Sequence, residues 1–431
     1  PAPGAAWGGE QEILLTYAYA HALAPLPRDI AQYERQRVVF ALGSRRVATP
    51  YATRTQTTRV LLASHHVENA AELEPVVQRG NDLTFGPYDE VGADAADDDG
   101  GVADGQADDT AGTSSAPLRI HFENHAPAIT YTSIVRDVRV PHPDGVSFYR
   151  WLHWLHWLHW LGAMPSSSGR DIEVSTRSVL LHSGARLIGG FSRLEYQQEV
   201  QRRAVQAGYT SGGGAAIHHV SEQLPDGAHS VTYRDAVGNV SSSVVVTEEG
   251  TASGDIADGY HVVNGSALRI TLRYPLFGGW RAPYETKFFV APKKDGPSRG
   301  ATMRVCHAWF GVPVRQAATD RFTLRVVLPE GARSPRLAPG ALPFALDAVA
   351  VETQPAKRGS VLSALGIAPQ PMQTVLVLTK ENVVWEHYRG ISIEYELGGG
   401  VGGGVWAMAD WVSSAAVFPL LVGVALWSLS S

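Results

Sequence analysis

Most of this 431-residue chain consists of short runs of β-branched and aromatic residues, which are separated at brief intervals by turn residues. This pattern limits the folds that the chain can adopt. Many runs alternate apolar and polar residues, which is the period of a strand with one buried face. Short strands between frequent turns are typical of β-sandwiches. Outside the C-terminus, only Arg193–Ala207 fits an amphipathic helix. Strands are predicted at Ile13–Ala20, Val38–Leu42, Val60–Ala63, Leu118–Phe122, Ile129–Val140, Ile172–Leu181, Ser230–Tyr233, Val244–Thr247, Leu268–Tyr274, Lys287–Val290, Phe322–Leu328, Thr374–Thr379 and Ile391–Leu397.

The C-terminal segment Trp411–Ser431 differs from the rest because it contains no charged residue. A helix of this length spans about 31 Å, which matches the hydrocarbon core of a bilayer. Trp411 and Trp427 lie near its ends, where aromatic side chains favour the membrane interface. The sequence therefore predicts a mainly β protein with two tandem β-sandwich-like domains and one transmembrane helix. The expected bounds are 1–165 and 166–397 for the domains, 398–410 for a Gly-rich linker and 411–431 for the helix.

Charge is unevenly distributed along the chain. The net charge is −6, but nine acidic residues and no basic residue lie between Asp89 and Asp109, so the remainder carries +3. A nearly neutral remainder excludes a strongly basic nucleic-acid-binding surface, and no nucleic-acid partner is expected. The acidic, Gly- and Ala-rich stretch 91–116 offers little apolar surface to bury, so we expect a disordered insertion there.

A second low-complexity stretch, residues 150–162, repeats Trp-Leu-His. Its histidines, His153, His156 and His159, are candidate metal ligands, but a spacing of three does not keep side chains on one helix face. Expansion of an exposed loop is therefore favoured over a metal site. Contact of the tryptophans with a membrane surface is a further alternative.

No set of residues with catalytic spacing emerges from the sequence. The lone Cys306 excludes an internal disulfide, a zinc finger and a CxxC redox motif, and it fits a buried structural thiol. Gly398, Gly400 and Gly403 match GxGxxG, but the helix expected after them is an uncharged membrane span. We therefore predict no catalytic residue, no bound metal and no cofactor in this chain.

Two sequons, Asn239-Val-Ser241 and Asn264-Gly-Ser266, allow N-glycosylation if their segments face the secretory lumen. Together with a C-terminal span, they favour a lumenal N-terminal part and a type I orientation. Asn239 and Asn264 are the predicted acceptors.

A series of motifs resembles the ribophorin I family in sequence and in order. In the first half these are Ala48–Ser64, Phe85–Val91 and His121–Val140. In the second half they are Gly189–Gln197, Tyr233–Ser243, Arg273–Arg281, Val326–Ala332 and Lys380–Leu397. The combination of YRDxxGN and PLFGGW is highly specific, and the resemblance runs from about Gln11 to the end of the chain.

The resemblance implies a single-pass membrane protein of the endoplasmic reticulum whose first lumenal domain begins upstream of Pro1. It implies a non-catalytic subunit of the oligosaccharyltransferase complex, which transfers a lipid-linked oligosaccharide to the Asn of Asn-x-Ser/Thr sequons. The implied partners are the catalytic multi-spanning subunit, small membrane subunits, membrane lipid and nascent acceptor polypeptides, with the translocon and the ribosome as further candidates. Asn239 matches a glycosylation acceptor of the family.

Two other classes of function stay open from the residues alone. A free-standing type I membrane protein could use β-sandwich ectodomains for adhesion or ligand binding, and composition and topology fit this alternative as well. A lumenal hydrolase is supported only by analogy at the level of the fold.

Within the family motifs, local chemistry predicts two turns. Gly278-Gly279 suggests a turn with positive φ, followed by Trp280 as a large buried anchor. Tyr233, Arg234 and Asp235 fit the end of a strand, which leaves through a turn that exposes Asn239.

Overall fold

The fold is seen in a computed structural model of the chain. The structure describes residues 12–32, 34–42, 52–70, 76–91, 118–124, 126, 128–141, 171–198, 216–240, 244–246, 267–292, 303–355 and 372–397. The predicted insertion 91–116 (apart from Val91), the Trp-Leu-His repeat, the Gly-rich linker, the predicted span 411–431 and Asn264 lie outside these residues. Among the described residues, no helix is long and apolar enough to cross a membrane.

The described part is mainly β, as predicted. Its strands are β1 (Leu23–Pro25), β2 (Asp29–Ile30), β3 (Arg37–Leu42), β4 (Thr53–Leu61), β5 (Val67–Ala70), β6 (Val76–Arg79), β7 (Asp82–Val91), β8 (Leu118–Glu123), β9 (Ile129–Arg139), β10 (Ile172–His182), β11 (Arg186–Leu187), β12 (Ile217–Gln223), β13 (Ala228–Asp235), β14 (Val244–Val246), β15 (Ala267–Leu276), β16 (Arg281–Val290), β17 (Met303–Phe310), β18 (Ala317–Val327), β19 (Ala332–Leu337), β20 (Ala348–Pro355), β21 (Met372–Val383) and β22 (Arg389–Leu397). A 3₁₀ turn at Trp385–His387 precedes β22, and residues 193–198 are helical.

The N-terminal strands form a small two-sheet unit. One sheet has the order β1-β3-β8-β5 and the other β4-β7-β6. Their apolar faces share one core, in which Leu83, Phe85, Leu118 and Ile120 are completely buried.

The larger unit is built on a seven-stranded sheet with the order β13-β16-β10-β9-β18-β21-β20. Its neighbours are antiparallel except for β9 and β18, which run parallel. Two three-stranded sheets, β12-β15-β14 and β17-β22-β19, contribute to the same hydrophobic core. Strand β10 shows why the sheet has two different faces: Val174 and Leu180 are buried, whereas Arg177 on the other face pairs with Asp137 at 2.7 Å.

The predicted domain boundary near residue 165 does not match these sheets. Strand β9 hydrogen-bonds to β10 and β18, and its Ile134 and Val138 belong to the larger core. The two cores therefore divide between Phe122 and Ile129, and residue 165 falls between two paired strands of one sheet. The predicted strand Ile13–Ala20 is also absent: its residues are irregular, and Leu14 is 87% exposed.

The two units meet along a short parallel pairing of β2 with β11. The backbone amide of Arg186 donates to the carbonyl of Arg28 at 2.7 Å, and that of Ala185 donates to Gln36 Oε1 at 3.2 Å. This contact fixes the segment that leads into the site described next.

Candidate functional site: an aromatic surface patch

A tight turn between β15 and β16 forms the base of the site. The amide of Trp280 donates to the carbonyl of Phe277 at 2.9 Å, and Gly279 lies in the third position of this turn with φ +82°. That backbone conformation favours glycine, so the prediction of positive φ is confirmed at Gly279. Gly278 is required for another reason, since a Cβ there would lie 1.8 Å from the carbonyl oxygen of Ala185.

Five aromatic residues gather around this turn and are called the aromatic patch: Phe191, Tyr196, Tyr274, Phe277 and Trp280. The ring centroids of Phe191 lie 5.4 Å from Phe277 and 5.9 Å from Trp280, and those of Tyr274 and Trp280 lie 6.4 Å apart. These spacings are typical of tilted and edge-to-face packing. Phe277 is buried, but Phe191 is 37% and Tyr274 47% exposed.

Trp280 is half-buried, so the prediction of a buried anchor is only partly right. Its ring packs against the core and makes an edge-to-face contact with Phe191. Exposed Ile188 and Leu194 flank Phe191 in the chain and add apolar surface. A half-covered aromatic cluster of this kind offers contact area that is already ordered.

The Phe191 segment is held from two sides. The amide of Ser192 donates to Gln32 Oε1 at 2.9 Å, and Gln32 Nε2 donates to the Ser192 carbonyl at 3.1 Å. Tyr196 stacks on His218 of β12 and hydrogen-bonds to its ring. Burial, followed by neighbouring His219, lowers the pKa of His218, which favours a neutral imidazole in this contact.

A second turn lies next to the patch and follows β13. Asp235 Oδ1 accepts from the amides of Val237 and Gly238, both at 2.9 Å. Arg273, the residue before Tyr274, donates to both carboxylate oxygens of Asp235 at 2.6 and 3.1 Å. These bonds, led by the one from Arg273, lower the pKa of Asp235 to about 2. Asn239 follows this turn and is exposed, as the sequence predicted.

The structure thus brings three of the sequence motifs together. The segments Gly189–Gln197 and Arg273–Arg281 supply the aromatic patch, and Tyr233–Ser243 joins them through Asp235 and Arg273. These three segments are far apart in the chain, so the sequence alone does not predict that they meet. The only local signals are the paired glycines and the exposed sequon.

A buried polar network joins β9, β12 and β16 and was not predicted from the sequence. Glu222 accepts from the Tyr284 hydroxyl at 2.6 Å and from the Thr286 hydroxyl at 3.2 Å, and Tyr131 hydrogen-bonds to Tyr284 at 2.8 Å. Burial raises the pKa of Glu222, against the opposing effects of Tyr284 and Arg136. A signal was present: Glu222 shares the core-facing side of β12 with Val220.

Cys306 is buried, as predicted. Among the described residues, no group of His, Cys, Asp and Glu could hold a metal ion.

The fold and the patch define a class of protein: a multi-sheet β protein with a partly exposed aromatic cluster around one of its inter-strand turns. The ribophorin I family model matches residues 1–156 and 164–399. The chain therefore belongs to the ribophorin I family.

Curated relatives support this assignment. The chain is 28% identical over 386 residues to dolichyl-diphosphooligosaccharide–protein glycosyltransferase subunit 1B of Oryza sativa subsp. japonica, covering 88% of the chain and 63% of the relative. It is 29% identical to subunit 1B of Arabidopsis thaliana, covering 88% and 64%, and 25% identical to subunit 1 of Caenorhabditis elegans, covering 90% and 53%. The chain thus spans between about half and two-thirds of their lengths.

Among solved structures, an M1 zinc metallopeptidase of Deinococcus radiodurans shows 10% sequence identity and a TM-score of 0.29, covering 62% of this chain and 42% of that one.

Proposed function

We propose that this chain is a non-catalytic subunit of the dolichyl-diphosphooligosaccharide–protein glycosyltransferase, the oligosaccharyltransferase complex of the endoplasmic reticulum. The observation that carries the proposal is membership of the ribophorin I family over nearly the whole chain, with relatives named as subunit 1. In this proposal a separate multi-spanning subunit transfers the oligosaccharide, and this chain stabilises the assembly and handles acceptor polypeptides.

The aromatic patch supports a role in polypeptide contact. Phe191 and Tyr274 expose rings that neighbouring rings already hold in place, so little side-chain entropy is lost on binding. Aromatic side chains are enriched at interaction surfaces because each contributes a large contact area. Apolar stacking does not demand one particular sequence, which suits acceptors that share little beyond a short sequon.

The position of Asn239 supports a lumenal orientation. Its side chain is exposed after a turn that Asp235 and Arg273 hold firmly, so an enzyme can reach it. In this proposal Asn239 and Asn264 carry glycans, and Trp411–Ser431 anchors the chain as a single-pass type I membrane protein.

Purification through an affinity tag on the full chain, from detergent-solubilised microsomes, tests the assignment. We expect the other subunits of the glycosyltransferase to co-purify in stoichiometric amounts, with sequon-directed transfer activity. Recovery of the chain alone, without that activity, would contradict the proposal and favour the free-standing type I alternative.

Patch variants test acceptor handling separately from assembly. Phe191→Ala and Tyr274→Ala should leave subunit recovery unchanged but raise the apparent KM for polypeptide acceptors by about three- to tenfold, because each ring contributes on the order of 1 kcal/mol. Tyr17→Ala is the matched control, since Tyr17 is 71% exposed and not part of the patch. An equal change in KM for all three variants would argue against the patch.

A further inference from the structure

The chain segment that carries Phe191 is bonded along one edge to the N-terminal unit. Next to the pairing of β2 with β11, the amide of Ile188 donates to the carbonyl of Ile30 at 3.0 Å. Along the other edge, the amide of Leu187 donates to the carbonyl of Gly278 at 3.2 Å, in the turn beneath the aromatic patch. Successive amides of a strand point to opposite edges. The segment therefore lies between the N-terminal unit and the turn, and it is bonded to both.

Gln32 continues the N-terminal edge with its side chain instead of its backbone. Its Oε1 accepts from the amide of Ser192 at 2.9 Å, and its Nε2 donates to the Ser192 carbonyl at 3.1 Å. A side-chain amide offers a donor and an acceptor, as a peptide group does. Gln32 therefore pairs with Ser192 much as a strand residue would. Ile30 and Gln32 together bind both ends of the stretch 188–192.

Between these two attachments, the chain leaves the strand at a pair of glycines. Gly189 and Gly190 have φ values of +83° and +84°, far from those of a strand, and a Cβ on either residue would have no atom within 4 Å. Glycine has the widest choice of backbone conformations, and no packing contact restricts these two. The position of Phe191 therefore depends on the bonds that hold the chain on either side of the pair. Residues 189–191 are called the Phe191 loop.

Beyond Ser192 the chain is held again at Tyr196. Its ring stacks on that of His218 with the centroids 5.7 Å apart, and its hydroxyl hydrogen-bonds to the same imidazole. This attachment lies about one helical turn after Ser192 and is made to the larger unit. Loss of the Gln32 side chain should therefore release Phe191, which adjoins Ser192, and leave Tyr196 in place.

The ring of Phe191 packs on rings of the larger unit, with centroid distances of 5.4 Å to Phe277 and 5.9 Å to Trp280. Ring contacts allow several arrangements of similar energy, whereas hydrogen bonds fix both distance and angle. We propose that Gln32 is a positioning residue for polypeptide acceptors: through the backbone of Ser192, it holds the Phe191 ring in the patch. The N-terminal unit thereby sets the form of a site on the larger unit. The proposal rests on the proposed function, because that function supplies the acceptor.

The first experiment measures steady-state kinetics of the complex purified through the full chain, with a sequon peptide as acceptor. Gln32→Ala removes both bonds to Ser192 and should raise KM about threefold or more, because a mobile ring must be ordered on binding. The kcat value should change by less than about twofold, since the patch binds acceptor and takes no part in transfer. Gln78→Ala is the matched control. Gln78 is an exposed glutamine of the same unit, and its Nε2 also donates to a backbone carbonyl, that of Gly80, at 3.3 Å.

A double-mutant cycle separates positioning from a general structural effect. If Gln32 acts through the Phe191 ring, its loss has nothing further to displace once that ring is absent. Gln32→Ala should therefore raise KM about threefold in the wild-type background, but by less than about 1.5-fold in the Phe191→Ala background. The same increase in both backgrounds, or no increase in either, would overturn the proposal.

The second experiment follows the ring without any acceptor. A photo-cross-linking phenylalanine analogue at position 191 of the full chain, within its complex, should form an internal link to the segment 273–281. Gln32→Ala should lower the yield of this link about threefold or more, and Gln78→Ala should not change it. An unchanged yield in Gln32→Ala would refute the inference. If the yield falls but Phe191→Ala keeps the wild-type KM, Gln32 places the loop as inferred, and the acceptor-binding role in the proposed function is wrong.

Discussion

Substituting Gly278 with alanine should damage the turn beneath the aromatic patch severely. A Cβ at this position would lie 1.8 Å from the carbonyl oxygen of Ala185 and 2.6 Å from its carbonyl carbon. Both contacts are backbone atoms, so no side chain can rotate away. The turn must shift by more than 1 Å, a distance at which hydrogen bonds of ordinary length no longer form.

The expected magnitude follows from the bonds at this turn. The amide of Leu187 donates to the carbonyl of Gly278 at 3.2 Å, and that of Gly279 donates to the His182 carbonyl at 2.8 Å. Losing both removes about 1 kcal/mol each. Displacing buried Phe277 adds about 1–3 kcal/mol of repacking strain. Gly278→Ala should therefore lower the free energy of unfolding by about 3–5 kcal/mol.

Two further glycines provide a graded series. Gly279→Ala meets a flexible Arg186 side chain at 2.9 Å and a φ of +82°, so we expect a loss of about 1–2 kcal/mol. Gly390→Ala has no atom within 4 Å and no positive φ, so it should be neutral or stabilise by up to about 1 kcal/mol. Denaturant unfolding of the purified full-length chain, followed by circular dichroism, measures all three. If the free energies of unfolding of Gly278→Ala and Gly390→Ala differ by less than about 1 kcal/mol, the contact with Ala185 does not destabilise the turn and the reasoning fails.

Three other predictions test the second turn and the core. Asn239→Gln should abolish one glycosidase-sensitive shift on gel electrophoresis, and an unchanged shift pattern would mean that Asn239 is unmodified. Because the folded-state pKa of Asp235 is lowered to about 2, its stabilising contribution is present above its unfolded pKa and is lost as pH falls toward 2. The Asp235→Asn variant keeps one acceptor for the turn. Between pH 5 and pH 2, its free energy of unfolding should therefore depend less on pH than that of the wild type. Parallel pH dependences of the two proteins would contradict this.

The pKa of Glu222 is raised in the folded state, so its effect on stability depends on pH in the opposite direction. Its stabilising contribution is present below the unfolded pKa and is lost as pH rises through the folded pKa. Glu222→Gln should therefore match or exceed wild-type stability at pH 7. Glu222→Ala should lose about 2–4 kcal/mol, because it removes the partner of the Thr286 hydroxyl, leaves the Tyr284 hydroxyl with Tyr131 alone and opens a cavity. If denaturant unfolding showed the same loss of free energy of unfolding in both variants, burial of the Glu222 charge would not be destabilising.

Long alternating runs predicted strands well, because their pattern matches a sheet with one buried face. Ile129–Val140 and Ile172–Leu181 correspond closely to β9 and β10. Ile13–Ala20 is also rich in aliphatic and aromatic residues, yet it forms no strand in the structure. A strand requires a neighbour to pair with, and local sequence does not provide that information.

Pairing between distant segments was the part that the sequence could not predict. Strand β9 lies parallel to β18, almost two hundred residues later, and this pairing places β9 in the larger unit. The contact of Phe191 with Phe277 has the same origin, because Leu187 of β11 hydrogen-bonds to Gly278 in the turn, about ninety residues later in the chain. The paired glycines predicted the conformation of the turn, but not what packs on it.

The polar network in the core links two strands that lead to the patch. Glu222 lies on β12 in a three-stranded sheet, and its carboxylate binds Tyr284 and Thr286 on β16 in the seven-stranded sheet. Apolar packing between sheets has no strong directional preference, whereas these two hydrogen bonds fix the position of one strand relative to the other. The same two strands reach the patch, because His218 of β12 stacks on Tyr196 and Trp280 directly precedes β16. Glu222 therefore ties together two strands that lead to the patch, and its hydrogen bonds to Tyr284 and Thr286 account for a carboxylate in the core.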